Sequence, residues 1–567
     1  MTESAIERLV SLPSRAVSVF PDIEPFRSKN VFAASDPVNS QLGSGGGTAH
    51  LLAEAWRHAA ESAGAMPQTF SAWLAASRKL LVHGSGESRR LPAYAAAGKP
   101  LTPIPSLHGI PGQRPDQVLL DLQLQTYERL FWFAPQSARV MVTCGDVILR
   151  VQRWLPEYPD ADVLIFGLAS SHEEARHHGV ILCPTGDPGR MTCFEQKPTI
   201  ERLEELEKTH VFYLDTGVWL LSERATMILM KKCGWDDGKQ AFRAKVPDAY
   251  DLFGKFGTAL GETPVERDSD ISSLTCAVVP LAHAKFYHFG TNATLLASVS
   301  DLRYPAAEQR SFGHVSAERQ ACVTVQNADV SCEIQPELRN VWIENSCLAT
   351  GWKLSGRHVL SGVPHNNWAL NLEPGVCLDF ACIGESELCV RFYGFDDLFR
   401  GRMGADGTLL LGCPAREWLT KRGIDWKESG ITPEADIFEV HLFPVVGQEN
   451  LDPEFIAWMF AAEPVARPEF KSLWLALPRL SGRELLSRTN VAKAAGDRTG
   501  RMAQTVAAQT ESDWLKNCSE FDLSATAELF VTRKWPHPEV RGRCAGVPDL
   551  ALIHDRMFRS AAAGLRK

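Results

Sequence analysis

Leu42–Leu52 reads LGSGGGTAHLL. Four glycines, a serine and a threonine stand ahead of an apolar helical start. Upstream, KNVFAAS (Lys29 to Ser35) is a short apolar run that predicts a strand. Downstream, TAHLLAEAWRHAAES (Thr48 to Ser62) puts Leu51, Leu52, Ala55 and Trp56 on one side of a helix. In a strand, glycine loop and helix so arranged, backbone N–H groups and a helix N-terminus face an anion. Glycine lets the backbone approach a phosphate with no side chain between them. Gly43, Ser44, Gly45, Gly46, Gly47 and Thr48 are therefore candidates for nucleotide binding. The stretch lacks the Gly-Lys-Ser/Thr ending of a P-loop, so by itself it reads equally well as a flexible turn. No cation follows at once to neutralise phosphate charge.

The cations come later, in SRKLLVHGSGESRRLPAYAAAGKPLTPIP (Ser77 to Pro105). Arg89 and Arg90 precede Leu-Pro; Gly98-Lys99-Pro100 and a proline-rich end follow. Nucleotidyltransferases that activate sugar 1-phosphates carry a similar pattern, G-x-G-T-R-L-x-P and then P-K-x-L-x-P. Here GGGT and RRLPAYAAAGKPLTPIP supply its two halves, with a helical insertion expected over about residues 51–82. The expectation is that Arg89, Arg90 and Lys99 lie close to the glycines in space. A solvated basic loop would leave Leu-Pro and Pro-x-x-Pro-x-Pro unexplained.

Further signals follow at matching distances. Asp116–Pro135 has helical spacing. Ala138–Arg150 is an apolar run containing Gly145-Asp146, and a carboxylate at the end of a buried strand suits a magnesium ligand. HHGVILCPTGDPGRMTCFEQKP (His177 to Pro198) predicts strand, turn and strand, ending in Glu195-Gln196-Lys197-Pro198. The same nucleotidyltransferases have E-K-P there, without the extra Gln196, and Lys197 would hold the phosphate of a sugar phosphate. YLDTGVWLLS (Tyr213 to Ser222) resembles their sugar-lining N-x-G strand, with Asp215 in place of asparagine ahead of Gly217. Asp248 and Asp251 read better as helix-start acids than as metal ligands. His288 and Thr291 fit a site or a structural role equally.

The totals bound the class. A chain of 567 residues holds about three domains. Its net charge of −9 and the absence of a basic tract with interleaved aromatics argue against nucleic acid. No run of about 18 apolar residues predicts a membrane span. The N-terminus lacks a secretory pattern, and the 14 cysteines show neither CxxC pairs nor zinc spacing, so a cytoplasmic protein with reduced thiols is expected. Residues 1–300 are expected to form an α/β, Rossmann-like nucleotidyltransferase domain. Residues 301–413 have short apolar runs, with Leu348, Leu354 and Leu360 at six-residue steps that suit a parallel β-helix; a sandwich of short strands would look similar. Residues 414–567 read as helical.

LGSGGGTAHLL, GESRRLPAYAAAGKPLTPIP, DQVLLDLQL, FYHFGT, IENSCLATGWKLSGRHVLSGVP, GVCLDF and YGFDD together resemble the guanylyltransferase half of bifunctional L-fucokinase/GDP-fucose pyrophosphorylases. The resemblance runs from about Asn30 to the end. It implies a left-handed β-helix for the second domain, expected as scaffold or oligomer surface. It also implies transfer of GMP from GTP to β-L-fucose 1-phosphate, giving GDP-fucose and pyrophosphate with Mg2+. Guanine and fucose come from the resemblance alone. No kinase-type glycine-serine loop follows, so a separate sugar kinase is expected upstream. In this scheme Gly45, Gly46 and Gly47 cradle the triphosphate and Arg89 or Arg90 grips its outer phosphates. Lys99 neutralises the α-phosphate and leaving pyrophosphate, Asp146 holds magnesium and Lys197 holds the acceptor phosphate. A catalytically silent nucleotide-sugar-binding subunit ranks lower, since Lys99, Asp146 and Lys197 are all present. A small-molecule kinase reading of the glycine loop leaves Gly-Asp and Glu-Gln-Lys-Pro unexplained.

Overall fold

The computed structural model describes residues 5–22, 30–37, 40–63, 69–105, 117–151, 158–303 and 323–501. Lys29, Asp116 and 502–567, to which part of the expected C-terminal helical region falls, lie outside them.

The first half is built on one mixed sheet. Its strands are β1 (Ile6–Ser11), β2 (Val31–Ala34), β3 (Arg78–His83), β4 (Ala138–Cys144), β5 (Val147–Val151), β6 (Val163–Leu168), β7 (Gly179–Pro184), β8 (Cys193–Gln196) and β9 (His210–Ser222), except that β5 pairs apart from it with Ala284–His288. Across the sheet the order is Cys276–Pro280, β6, β9, β4, β3, β1, β2, with β7 on β9 and β8 on β7. Strands β2, β1, β3 and β4 run parallel, and β9 is antiparallel to β4, β6 and β7.

Both faces are apolar because side chains alternate along each strand. Leu9, Leu81, Val140 and Val142 pack on one face under the helices α2 (Gly43–Ala63) and α3 (Phe70–Ala76), which follow the short α1 (Ser14–Val17). Val10, Leu80, Val82 and Met141 pack on the other under α4 (Leu119–Trp132). The sequence predicts helix through Val82, but Arg78–His83 is a central strand. Its two charged residues are buried rather than solvated. Lys79 bonds Glu7 and the carbonyls of Trp73 and Ser77, and Arg78 bonds the carbonyls of Phe131, Ala134 and Pro135. Pairing on both edges of the strand overrides the local pattern.

In the second half Val323–Gln326, Val341–Glu344, His358–Ser361 and Val376–Cys382 stack parallel, with Val323 beside Val341 and Val341 beside His358. A second parallel ladder pairs Asp329–Val330 with Cys347–Leu348. Leu348, Leu354 and Leu360 all point into the core. From Val376 onward the sheet turns antiparallel through Glu387–Gly394, Phe443–Gly447 and Arg479–Leu480. Residues 414–501 are thus not wholly helical. Helices such as Ala415–Lys421 and Pro453–Phe460 flank strand Phe443–Gly447 and share one apolar core with the parallel stack. That core also takes in Leu91, Tyr94 and Ile104 of the first half. No helix of the described residues is long and apolar enough to cross a membrane.

Candidate functional site

The stretch Leu42–Leu52 is not a loop. Gly43, at φ +69°, opens α2, and Gly45 and Gly46 lie in its first turn. Their N–H groups both donate to the Tyr250 carbonyl, at 2.9 and 3.1 Å. Ser44 Oγ donates to Asp251 and accepts from the Leu252 amide. A Cβ on Gly45 would lie 2.8 Å from the Tyr250 ring. These glycines therefore admit the 248–252 segment against the helix start. The expectation of free amides at Gly45 and Gly46 is corrected: an internal carbonyl holds both. Thr48 ties this turn to the sheet, its hydroxyl lying 2.8 Å from the Ser44 carbonyl and 2.9 Å from His83 Nε2.

His83 ends β3, and Gly84-Ser85-Gly86 follows it directly, ahead of Arg89-Arg90-Leu91-Pro92. The glycine and cation halves of the expected motif are therefore contiguous here, and no helical insertion has to be removed. The signal was visible as the second G-x-G, at residues 84–86. The Gly84 and Ser85 amides donate to Ser11 Oγ at the end of β1, and Ser85 Oγ donates to Asp36 beyond β2. Burial pushes the His83 imidazole down to about 4, so it ties the loop in place as a neutral ring. Gly86 is exposed, with open space where a Cβ would stand.

The loop after β4 closes on the same place. The Gly145 amide donates to the His83 carbonyl at 2.7 Å, and the Pro100 ring packs on both Gly84 and Gly145. Asp146 follows, in the turn between β4 and β5. The Lys99 ammonium sits 2.6 Å from its Oδ2 and His288 Nε2 lies 3.4 Å away. Burial alone would raise the Asp146 carboxyl, but Lys99 and His288 hold it well below the usual carboxylate range. The Gly-Gly-Gly helix start, the Gly84 loop, Lys99 and Asp146 thus meet around His83, at the C-terminal ends of parallel strands, where open α/β sheets bind ligands.

The acceptor candidates adjoin this cluster. The His178 ring stands edge-on to His288 with centroids 6.2 Å apart, and its carbonyl accepts the Lys197 amide at 3.0 Å. Lys197 is exposed and takes a left-handed φ of +48°. Burial pushes His178 down to about 4, helped by His288, His177 and Lys197.

The two arginines separate. Arg89 turns away from the glycines. It bonds Glu87, both oxygens of Asp436 and the Phe399 carbonyl, and stacks on Phe438. The candidacy of Arg89 for phosphate is corrected accordingly. Arg90 is exposed and among the described residues shows no ion pair. Asp251 caps the turn at Phe253, as its helix-start reading requires.

Asp215 is 7% exposed, and its Oδ1 accepts from the Gly217 amide and Trp219 Nε1, both at 2.9 Å. Gly217 needs its φ of +70°, and a Cβ there would lie 2.6 Å from Cys144 Sγ. Burial pushes the Asp215 carboxyl up to about 6 from 3.8. The folded chain therefore holds this proton more tightly than the unfolded one, and ionised Asp215 costs stability as pH rises through that window. Asp215→Asn keeps both hydrogen bonds and removes the charge. It is expected to gain about 2 kcal/mol at pH 8 and little at pH 4. Thermal unfolding at the two pH values checks this; an equal effect at both would refute it.

Among the described residues no group of three or more His, Cys, Asp and Glu could cage a metal by itself. Asp146 with His288 beside it still suits a divalent ion that takes one carboxylate from the protein and its other ligands from phosphates and water.

Residues 71–261 match the fucose pyrophosphorylase domain. An L-fucokinase/L-fucose-1-P guanylyltransferase from Bacteroides fragilis is 35% identical over 560 residues, 98% of this chain and 57% of that protein. A bifunctional fucokinase/GDP-fucose pyrophosphorylase from Arabidopsis thaliana is 21% identical over 513 residues, 81% of this chain and 47% of that protein. The chain spans about half the length of these curated relatives. The crystal structure of a mannose-1-phosphate geranyltransferase from Thermus thermophilus aligns over 69% of this chain and 96% of its own, at 16% identity and a TM-score of 0.24, a likeness too slight to bear on the fold.

Proposed function

We propose that the chain transfers GMP from GTP to β-L-fucose 1-phosphate. An oxygen of the sugar phosphate bonds to the α-phosphorus, the bond to the β-phosphate oxygen breaks, and pyrophosphate leaves. The nucleophile is already an anion, so no general base is needed. The difficulty is bringing two anions into line, and positioning with charge neutralisation supplies the rate.

The observation that carries the reading is the convergence on His83 of the Gly84–Gly86 turn, Lys99 and Asp146, inside a stretch matching the fucose pyrophosphorylase domain. In this reading the exposed turn at Gly86 and the Arg90 side chain take the outer phosphates. Lys99 leaves Asp146 for the α-phosphate and the departing pyrophosphate. Lys197 takes the acceptor phosphate, and Asp215 and Gly217 shape the floor beneath the sugar. Asp146, with His288 beside it, would hold Mg2+, which supplies further neutralisation of the triphosphate.

The test is one incubation with GTP, L-fucose 1-phosphate and Mg2+, read by mass spectrometry, with ATP, UTP and other sugar 1-phosphates as controls. GDP-fucose is expected. No nucleotide sugar from any pairing would leave a silent nucleotide-sugar-binding protein as the reading.

A further inference from the structure

The segment from Glu87 to Lys99 carries the cations of the proposed site, yet it has little structure of its own. Only two short 3-10 turns, Pro92–Tyr94 and Lys99–Leu101, lie along it and just beyond. Its anchors come from the other half of the chain. Arg391 donates from Nε to Asp379, at 2.8 Å, and from Nη2 to the Pro92 carbonyl, at 2.7 Å. The Tyr94 hydroxyl donates to Glu344 and accepts from Trp342 Nε1 at 2.6 Å, and Glu344 is held in turn by Arg498. Arg89 Nη1 donates to both oxygens of Asp436, and Glu87 is paired with Arg483 at 2.6 Å.

These pairs are buried where they matter. The Arg391 and Asp379 side chains are 7% and 5% exposed, and Glu344 is fully buried. Burying an ion pair stabilises a fold weakly at best, because desolvation offsets the attraction. A planar guanidinium does fix the position of whatever it bonds. Here one fork reaches an acid of its own sheet and a carbonyl of the cation-bearing segment.

We infer that the second half is a working part of the proposed transferase site. Arg391 and the Tyr94–Glu344–Arg498 chain are positioning residues that hold Glu87–Lys99 so that Arg90 and Lys99 face the phosphates. This rests on the transferase reading for its chemistry, though not for its geometry.

The test uses the full chain with Arg391→Lys, which keeps a charge against Asp379 but loses the fork, and with Tyr94→Phe, which keeps the ring and loses the hydroxyl. A displacement of the order of 1 Å is expected to lower kcat about tenfold to a hundredfold. KM for GTP is expected to change far less and the thermal midpoint by only a few degrees. Hydrogen exchange of the amides of residues 86–99 is expected to quicken in both variants. Tyr94→Phe carries the test if Arg391→Lys does not fold. Turnover within twofold of wild type in the folded variants overturns the proposal. If the wild-type chain makes no nucleotide sugar, the transferase reading fails, and the clamp then stands or falls on the exchange alone.

Discussion

Replacing Lys99 with methionine is expected to lower kcat of the proposed transfer by about a thousandfold while leaving the chain folded. The ammonium lies 2.6 Å from Asp146 and is partly open to solvent. The backbone beside it is held by the packing of Pro100 on Gly84 and Gly145. Methionine keeps the length of the stem and removes only the cation. In the resting protein the cation and Asp146 satisfy each other; in the proposed reaction a triphosphate would give Lys99 a stronger partner and leave Asp146 to a divalent ion. The two residues then act on one ligand, so their effects are not independent. A double variant with Asp146→Asn is expected to cost little more than the worse single change. Steady-state kinetics with a parallel melting curve checks both points. Near-normal turnover in Lys99→Met, or strict additivity in the double variant, would reject the assignment.

Part of the candidate site's arrangement was legible because local chemistry fixed it. Gly145-Asp146 after an apolar run, Lys197 after a hairpin, and Lys99 between glycine and proline are short signals with short-range causes. What the sequence did not disclose depends on partners distant in the chain. The glycines of Leu42–Leu52 look like a phosphate loop because both roles need backbone with no side chain in the way. Only the fold shows that Tyr250 is what comes close. The same distraction hid the second G-x-G at residues 84–86, since the stretch ahead of it, to Val82, reads as helical insertion. Arg89 and Arg90 are indistinguishable as neighbours in sequence. They part because Asp436, nearly 350 residues away, claims one of them. The switch from parallel to antiparallel pairing at Val376–Cys382 has no sequence signature of its own, as both kinds of strand are short and apolar.

Gly145→Ala is expected to be the most damaging glycine-to-alanine change among the described residues, destabilising by about 4 kcal/mol or more. A Cβ built there falls 2.1 Å from the His83 carbonyl oxygen and 2.8 Å from Pro100 Cγ. Neither neighbour can yield. The His83 carbonyl belongs to β3, which is paired on both edges, and it already accepts the Gly145 amide at 2.7 Å. The Pro100 ring is wedged between Gly84 and Gly145. The new methyl must therefore push the β4 turn off the end of β3, carrying Asp146 away from Lys99 and His288. Stability and activity fail together because one close approach serves both. Gly86→Ala provides the contrast, since a Cβ there meets nothing within 4 Å, and it is expected to fold with a near wild-type melting temperature. Melting curves of the two variants decide the matter. A Gly145→Ala chain that melts within a few degrees of wild type would mean that the loops after β3 and β4 do not touch as described, and the meeting of glycine turn, lysine and aspartate would lose its structural basis.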